Sequence, residues 1–439
     1  MVDAALVQIP DSERWRVRAP QTGVQYPLMS SPAPWRLEEP VETLALDASE
    51  GRRSLTAFLI SGILMSFLGA ILPAWRYHLS ADFKEVGYYF LSLNLGFLLS
   101  VAAAHALLPR KGVKFVLIVA NAMACTGFLF LALVSPPVPA IWRLLGVLWI
   151  GVSAGLLNAG VFQAISPQYR HDRAATMNLA GVMFGLGCLL TSLLVAGTYY
   201  VYTVPSILIL FAILPGFFAA NYAKARITPR PMLQQIPLSQ LLRDFRNPGA
   251  ILFSLLLFFQ FGNEWSIAGW LPLFLIRRLG ISPADSLLML ALYWTALLVG
   301  RIVSQLLLKR MSHGLLLISS IVSALLGTLV LASTNNQFGA VMGILFVGAG
   351  FASIYPLVVE KIGHRFPYYH PGFYNGIFSF AITGGFIAPW LLGYFAQNWG
   401  IQAVMVLPLL GTCMVFALAL LIMLEAKLSG LADIKTAGS

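Results

Sequence analysis

Gln260, Asn263 and Glu264 stand at i, i+3 and i+4 in the stretch Gln260-Phe-Gly-Asn-Glu-Trp-Ser-Ile-Ala-Gly-Trp270. That spacing places three polar side chains on one face of a helix. The segment around them is apolar, so the face must look into a cavity or onto a neighbouring helix. Burial disfavours the charged form of a carboxylate, and a group that gains and loses a proton in such a place suits proton carriage. The competing reading is a structural acid satisfied by its neighbours. Glu264 is the one carboxylate in the sequence that falls well inside an apolar run: Asp82, Glu85 and Asp172 lie in connections, Asp285 opens a run, and Glu360 lies near the end of one.

Further residues could serve the same chemistry. Trp294, Leu298, Arg301 and Gln305 form a stripe at helical spacing. Arg301 lies about 10 Å, and Glu264 about 22 Å, from the same end of their helices at 1.5 Å per residue. A depth difference of about 12 Å excludes a direct ion pair between straight helices, and Arg301 is expected to gate or pack. Asn94, Asn158 and Gln163 are polar candidates for holding a solute, with Gln260 and Asn263. Tyr293, Trp294 and Trp270 offer flat surfaces to a ring-shaped solute, although aromatic residues at such positions also serve packing. Asn178 and Asn375 open two helical runs at matching places, and with Arg110, Arg301 and Arg310 they form the gating candidates. Gly151-Val-Ser153-Ala-Gly155 has the spacing of a hydrolase nucleophile elbow. It sits inside a continuous apolar helix with no His or acid, where small residues four apart mark close helix approach. No histidine pair has metal-ligand spacing, and Cys125, Cys188 and Cys413 lie in separate apolar runs. No enzyme, metal or cofactor is expected.

The elements that carry these residues follow from composition. The 439 residues are 58% hydrophobic and 10% charged, with mean hydropathy +0.80. A soluble domain carries roughly a quarter charged residues, so the solvent of this surface is lipid. Apolar runs of about twenty residues, the length that crosses a bilayer, recur about twelve times. The expected class is an all-α membrane protein of about twelve transmembrane helices in two pseudo-symmetric six-helix halves. Residues 1–50 are expected to be a disordered cytoplasmic tail, 51–222 the first half, 223–248 a cytoplasmic linker rich in Pro and Arg, 249–424 the second half, and 425–439 a cytoplasmic tail. Within the first half, 86–108 and 113–134 read as separate spans.

The formal net charge of +11 does not mark a nucleic-acid partner, because the basic residues gather at alternate connections. Arg110, Lys111 and Lys114 fill one, and Lys309 and Arg310 another. Ser135-Pro-Pro-Val-Pro139 and Ser333-Thr-Asn-Asn-Gln337 carry none. This asymmetry predicts that both termini face the cytoplasm. The expected location is the cytoplasmic (inner) membrane, and the expected form is a monomer.

The chain also repeats itself. His105–Lys114 has its counterpart in Gln305–Gly314, 200 positions on, and Ala70–Trp75 in Gly269–Phe274, 199 positions on. Asn178 with Gly187 recurs as Asn375 with Gly384, 197 positions on. Duplicated membrane halves with a site between them are a common plan of secondary transporters. A small solute, with or without protons, is therefore the expected partner beside the bilayer.

These features resemble the major facilitator superfamily. Arg110, Gly112 and Lys114 fit its basic loop motif, while His105 and Pro109 replace the glycine and the acid of that motif. Gly262-Asn-Glu264, Gly269-Trp270-Leu-Pro-Leu-Phe-Leu275, Tyr293-Trp294 and Gly300-Arg301 further resemble the fucose–galactose–glucose proton-symporter family. Gly151, Gly155 with Asn158, and Asn178 with Gly185 and Gly187, extend that similarity. The resemblance implies monosaccharide transport, with proton symport. The family carries acids where this chain has Gly69 and Asn158. Either Glu264 has taken over coupling, or the protein is an uncoupled facilitator, or the solute differs. Export of amphipathic compounds and a transport-dead sensor or scaffold are the remaining alternatives.

Overall fold

Residues 48–75, 82–165, 173–225, 247–366 and 371–428 are described by a computed structural model. They form eleven helices: α1 Ala48–Ile71, α2 Phe83–Leu133, α3 Ala140–Ala164, α4 Arg173–Thr198, α5 Val204–Lys224, α6 Pro248–Leu279, α7 Pro283–Leu307, α8 His313–Ser333, α9 Gln337–Arg365, α10 Pro371–Trp399 and α11 Ala403–Leu428. The tail 1–47, the linker from 226 to 246 and the end from 429 lie outside the described residues. Among those described, ten helical segments are long and apolar enough to cross a membrane, and Leu55–Ile71 of α1 is a shorter apolar helix.

Eleven helices stand where about twelve spans are expected, because 86–108 and 113–134 fall within the 51 residues of α2. The chain turns from one run to the next at Gly112, whose φ of 78° and ψ of 171° leave the helical region. A side chain resists that positive φ and glycine accepts it. Pro109, just before it, removes one helical hydrogen bond.

Helix starts are written in single side chains. Asp82, Asn247, Ser282, Ser312 and Asn336 each accept a hydrogen bond from a backbone N–H of the first turn, the N-cap that satisfies an otherwise orphaned donor. Gly280, with φ 67°, closes α6 in the left-handed conformation, as helix C-termini favour.

The two halves repeat one packing plan. In the first, α1 lies on α4, and the later part of α2 packs on α5; in the second, α6 lies on α10, and α8 on α11. At the α1–α4 crossing Gly187 faces the backbone of Leu59 and Gly62. At the α6–α10 crossing Gly384 faces the backbone of Phe258. Gly187 and Gly384 are the pair expected to correspond, and neither position has room for a side chain. The halves meet where α1 touches α6, α2 touches α10 and α4 touches α7. The hydrolase-like Gly151–Gly155 segment is a helix crossing. Gly151 abuts Leu93 O of α2, Gly155 abuts Ser100, and Ser153 Oγ donates to Ala120 O at 2.8 Å.

Candidate functional site

The polar face of α6 divides between two neighbours. Asn263 turns into the second half, donating from Nδ2 to Thr412 Oγ1 of α11 at 3.3 Å, against Gly411. Glu264 faces the seam between the halves. The charges of Glu264 and Arg301 act on each other, on Tyr293 and on the Cys188 thiol of α4. No carboxylate among the described residues comes within 4.0 Å of Arg301, in keeping with their different depths. The Gln260 amide lies beside Glu264, but neither of its polar atoms closes a hydrogen bond of good geometry.

Around this group stand aromatic rings. Phe184 of α4 meets Trp265 edge-on at 5.9 Å, Trp265 meets Trp294 at 6.4 Å, and Trp294 meets Tyr293 at 5.2 Å. Tyr293 and Trp294 are buried. Arg301 crosses to α4, where a Cβ added at Gly181 would lie 2.5 Å from its Nη1, while Leu298 fills the equivalent notch at Gly185. Two glycines four apart on α4 thus receive two side chains three apart on α7.

The remaining candidates are spread along the seam. Asn94 spends its Nδ2 on Phe386 O of α10, at 2.9 Å. Asn158 is held within the first half, accepting from Ser61 Oγ at 3.0 Å and donating to Ala154 O at 2.8 Å. Gln163 is buried in the last turn of α3. Trp270 stacks on Phe90 and donates from its indole to Pro389 O at 2.9 Å, so it joins α6 to α2 and α10. Arg110 and Arg310 are exposed, and Asn178 is half-buried near the start of α4. The Asn375 side chain lies outside the described residues.

Beside Asn94 lies a cavity of about 20 Å³, lined among others by Met65, Ser66, Asn94, Trp265 and Phe386, room for about one water. Toward the face where α2 begins, the halves touch backbone to backbone. A Cβ at Gly87 would meet Trp390 O at 2.7 Å, one at Gly393 would meet Phe83 O at 2.7 Å, and one at Gly69 would meet Ala268 O at 2.6 Å. Phe83 N donates to Gln397 Oε1 at 2.9 Å, and Tyr88 and Tyr394 pair at 3.3 Å. This seam is closed.

Sequence reasoning missed one cluster entirely. Arg143 in the first turn of α3 is 3% exposed. It donates from Nε to Tyr89 Oη at 2.8 Å, from Nη1 to Val138 O at 2.6 Å, and from Nη2 to Glu85 at 3.2 Å. Tyr89 donates to the same Glu85 carboxylate at 2.6 Å, and Trp75 lies against the guanidinium. The cluster ties the end of α1, the start of α2 and the start of α3 together beside the closed seam. Arg143 and Glu85 are 58 positions apart, and the available signal was an arginine inside an apolar run. Replacing Arg143 by Met should leave Glu85 unpaired and cost about 3 kcal/mol, the lower range for breaking a buried pair, since Glu85 keeps some contact with solvent. The thermal midpoint of the purified protein should fall, and adding Glu85→Gln should restore part of it. Equal midpoints in wild type and Arg143→Met would show that the pair contributes nothing net.

Comparison with known proteins fits this architecture. Residues 54–389, more than half of the chain, match the Major Facilitator Superfamily. An uncharacterised MFS-type transporter of Yersinia pestis is 22% identical over 315 residues, 70% of this chain and 79% of that one. Among solved structures, a D-xylose–proton symporter superposes with a TM-score of 0.69 at 13% identity, covering 85% of this chain and 96% of its own. The nucleoside transporter NupG superposes at 0.65 with 14% identity, covering 85% and 98%. At these identities the superpositions speak for the fold.

Proposed function

The chain belongs to the major facilitator superfamily, and from that premise we propose that it carries a small polar solute, a monosaccharide, across the cytoplasmic membrane by alternating access, with a proton taken up at Glu264. It is a membrane transporter and not an enzyme. The observation that supports the finer reading is the set Gln260, Tyr293 and Trp294, buried at the seam between halves beside the half-buried Glu264 and Arg301, with polar atoms that no protein partner satisfies. Buried polar groups without partners cost free energy, so a carrier gains by keeping them only where a solute completes them. Solved proteins of the same fold carry a nucleoside and D-xylose, solutes of the size this reading requires. By the alternation of basic connections, the face where α2 begins is external and both termini are cytoplasmic.

Coupling has a second reading with an observation behind it. Gly69 lies against Ala268 O, and Asn158 is occupied by Ser61 and Ala154, so neither place holds a titrating side chain. Without a role for Glu264 the protein is an uncoupled facilitator. Purified protein in liposomes, loaded with an unlabelled neutral sugar (D-galactose, D-glucose or L-fucose) or an acidic one (D-galacturonate) and given the same labelled sugar outside, tests the solute class. Counterflow above that of protein-free liposomes is expected for at least one sugar. Its absence for neutral and acidic sugars alike would overturn the monosaccharide reading and leave the family assignment untouched.

A further inference from the structure

The unpaired polar atoms at the centre are not balanced between donors and acceptors. Trp294 Nε1 and Arg301 Nε are donors only, the Tyr293 hydroxyl is either, and the Gln260 amide offers one of each. Gln260, Tyr293 and Trp294 are at most 1% exposed, so bulk water does not serve them. All belong to α6 and α7. The first-half polar groups at the same seam are spent: Ser66 donates to Gly62 O at 2.7 Å, Asn94 to Phe386 O, and Asn158 sits between Ser61 and Ala154. The missing ligand is therefore rich in acceptors and is addressed by the second half.

Charge narrows it further. The Arg301 guanidinium has no hydrogen bond and no carboxylate within 4.0 Å among the described residues, and it rests in the notch left by Gly181. A cation without a close counter-ion inside a membrane protein is costly, and the planar fork of a guanidinium matches a carboxylate. We propose that the solute is an acidic monosaccharide, a uronate or aldonate bearing one carboxylate, and that Arg301 receives that carboxylate while Tyr293, Trp294 and Gln260 complete the hydrogen bonds.

This inference rests on the transport reading of the same site and sets its stoichiometry. In the empty site Glu264 offsets the charge of Arg301 only from a distance, beyond 4.0 Å. When the solute carboxylate arrives, two anions share one cation, and a proton on a Glu264 oxygen restores neutrality. The O–H bond on Glu264 is the only covalent bond that forms, and it breaks when the proton leaves with the solute. One anion and one proton then cross together with no net charge. The groups facing Glu264 agree with this assignment. Arg301 and Tyr293 come from α7, and Cys188, with Ser66 of α1 beside it, from α4. On the helices packed beside α6 in its own half, α11 holds Asn263 through Thr412, α10 presents Gly385 to Trp265, and α9 sets Tyr355 against Phe261. No second cation among the described residues reaches Glu264.

The test uses the full-length protein with matched pairs that differ in the acid: D-galacturonate against D-galactose, and D-gluconate against D-glucose. In thermal-shift titrations the acids are expected to raise the apparent melting temperature, as a ligand that prefers the folded state does. In liposomes their uptake should follow an imposed pH gradient and ignore an imposed membrane potential. Arg301→Gln should weaken acid binding about tenfold or more, the loss of a charged hydrogen-bonded contact, and Arg301→Lys should recover part of it. If Arg301→Gln does not fold, Gly181→Ala is read instead, since it crowds the guanidinium without removing its charge; weakened acid binding is again expected. Unchanged acid binding in the folded variant overturns the role of Arg301. Neutral sugars bound in preference to acids leave the transport reading standing and sink this one. No binding by either class sinks this proposal and the monosaccharide reading together.

Discussion

Glu264→Gln is expected to abolish solute accumulation driven by a pH gradient while leaving counterflow exchange near the rate of the unmodified protein. Gln keeps the size and hydrogen-bonding capacity of a protonated Glu, so the α6–α7 contacts and the solute site persist. What it loses is the proton. Accumulation needs a group that picks up a proton on one side and releases it on the other, and among the described residues no other carboxylate lies in this cluster. Counterflow needs only that the loaded carrier reorient, which a permanently neutral side chain permits. The loss should be complete rather than partial, since coupling through one titrating group has no graded substitute. A Gln variant that still accumulates solute on an imposed pH difference would make Glu264 a structural acid. An unmodified protein that exchanges a proven substrate yet never concentrates it would establish the facilitator instead.

The same position shows what could be read in advance. Apolar runs of bilayer length, the 200-residue echo of His105–Lys114 and the alternation of basic connections all act locally or by simple repetition. They are visible in a linear string, and the helices and their paired packing follow from them. Glu264 stood out because an acid in an apolar run needs a reason. Its partners could not be read the same way. Gly181 receives Arg301 only because α4 and α7 meet across the two halves, 120 positions apart. Arg143 and Glu85 meet only when α3 crosses α2 at Gly96 and Gly151. Asn263 is expected on one face with Glu264, yet a turn of α11 claims it, since consecutive residues stand about 100° apart around a helix and can face different neighbours. The bend at Gly112 was legible too: 86–108 and 113–134 read as separate runs, and Gly112, at φ 78° and ψ 171°, leaves the helical path between them.

The second large effect is expected at Gly393. A Cβ there would lie 2.7 Å from Phe83 O and 2.9 Å from Gly87 Cα, and Gly87 in turn sits 2.7 Å from Trp390 O by the same measure. These are backbone atoms of helical residues, so they cannot swing aside as a side-chain tip does. Gly393→Leu therefore forces α10 away from α2, and the closed seam cannot form. Overpacking at such a contact costs about 1–3 kcal/mol, enough to shift a two-state balance by roughly ten- to a hundredfold. Alternating access requires this face to close before the other opens, so uptake should fall at least about tenfold while solute still binds from the α2-entry face. A cysteine placed at the buried Phe90, in a background lacking Cys125, Cys188 and Cys413, should then react with an impermeant thiol reagent added on that side. Gly197→Leu is the matched control, because a Cβ there meets nothing within 4 Å, and it should transport normally. Full transport by Gly393→Leu would mean that the Gly87–Gly393 contact is no part of the cycle. Loss of transport without new reactivity at position 90 would place the defect in folding rather than in the gate.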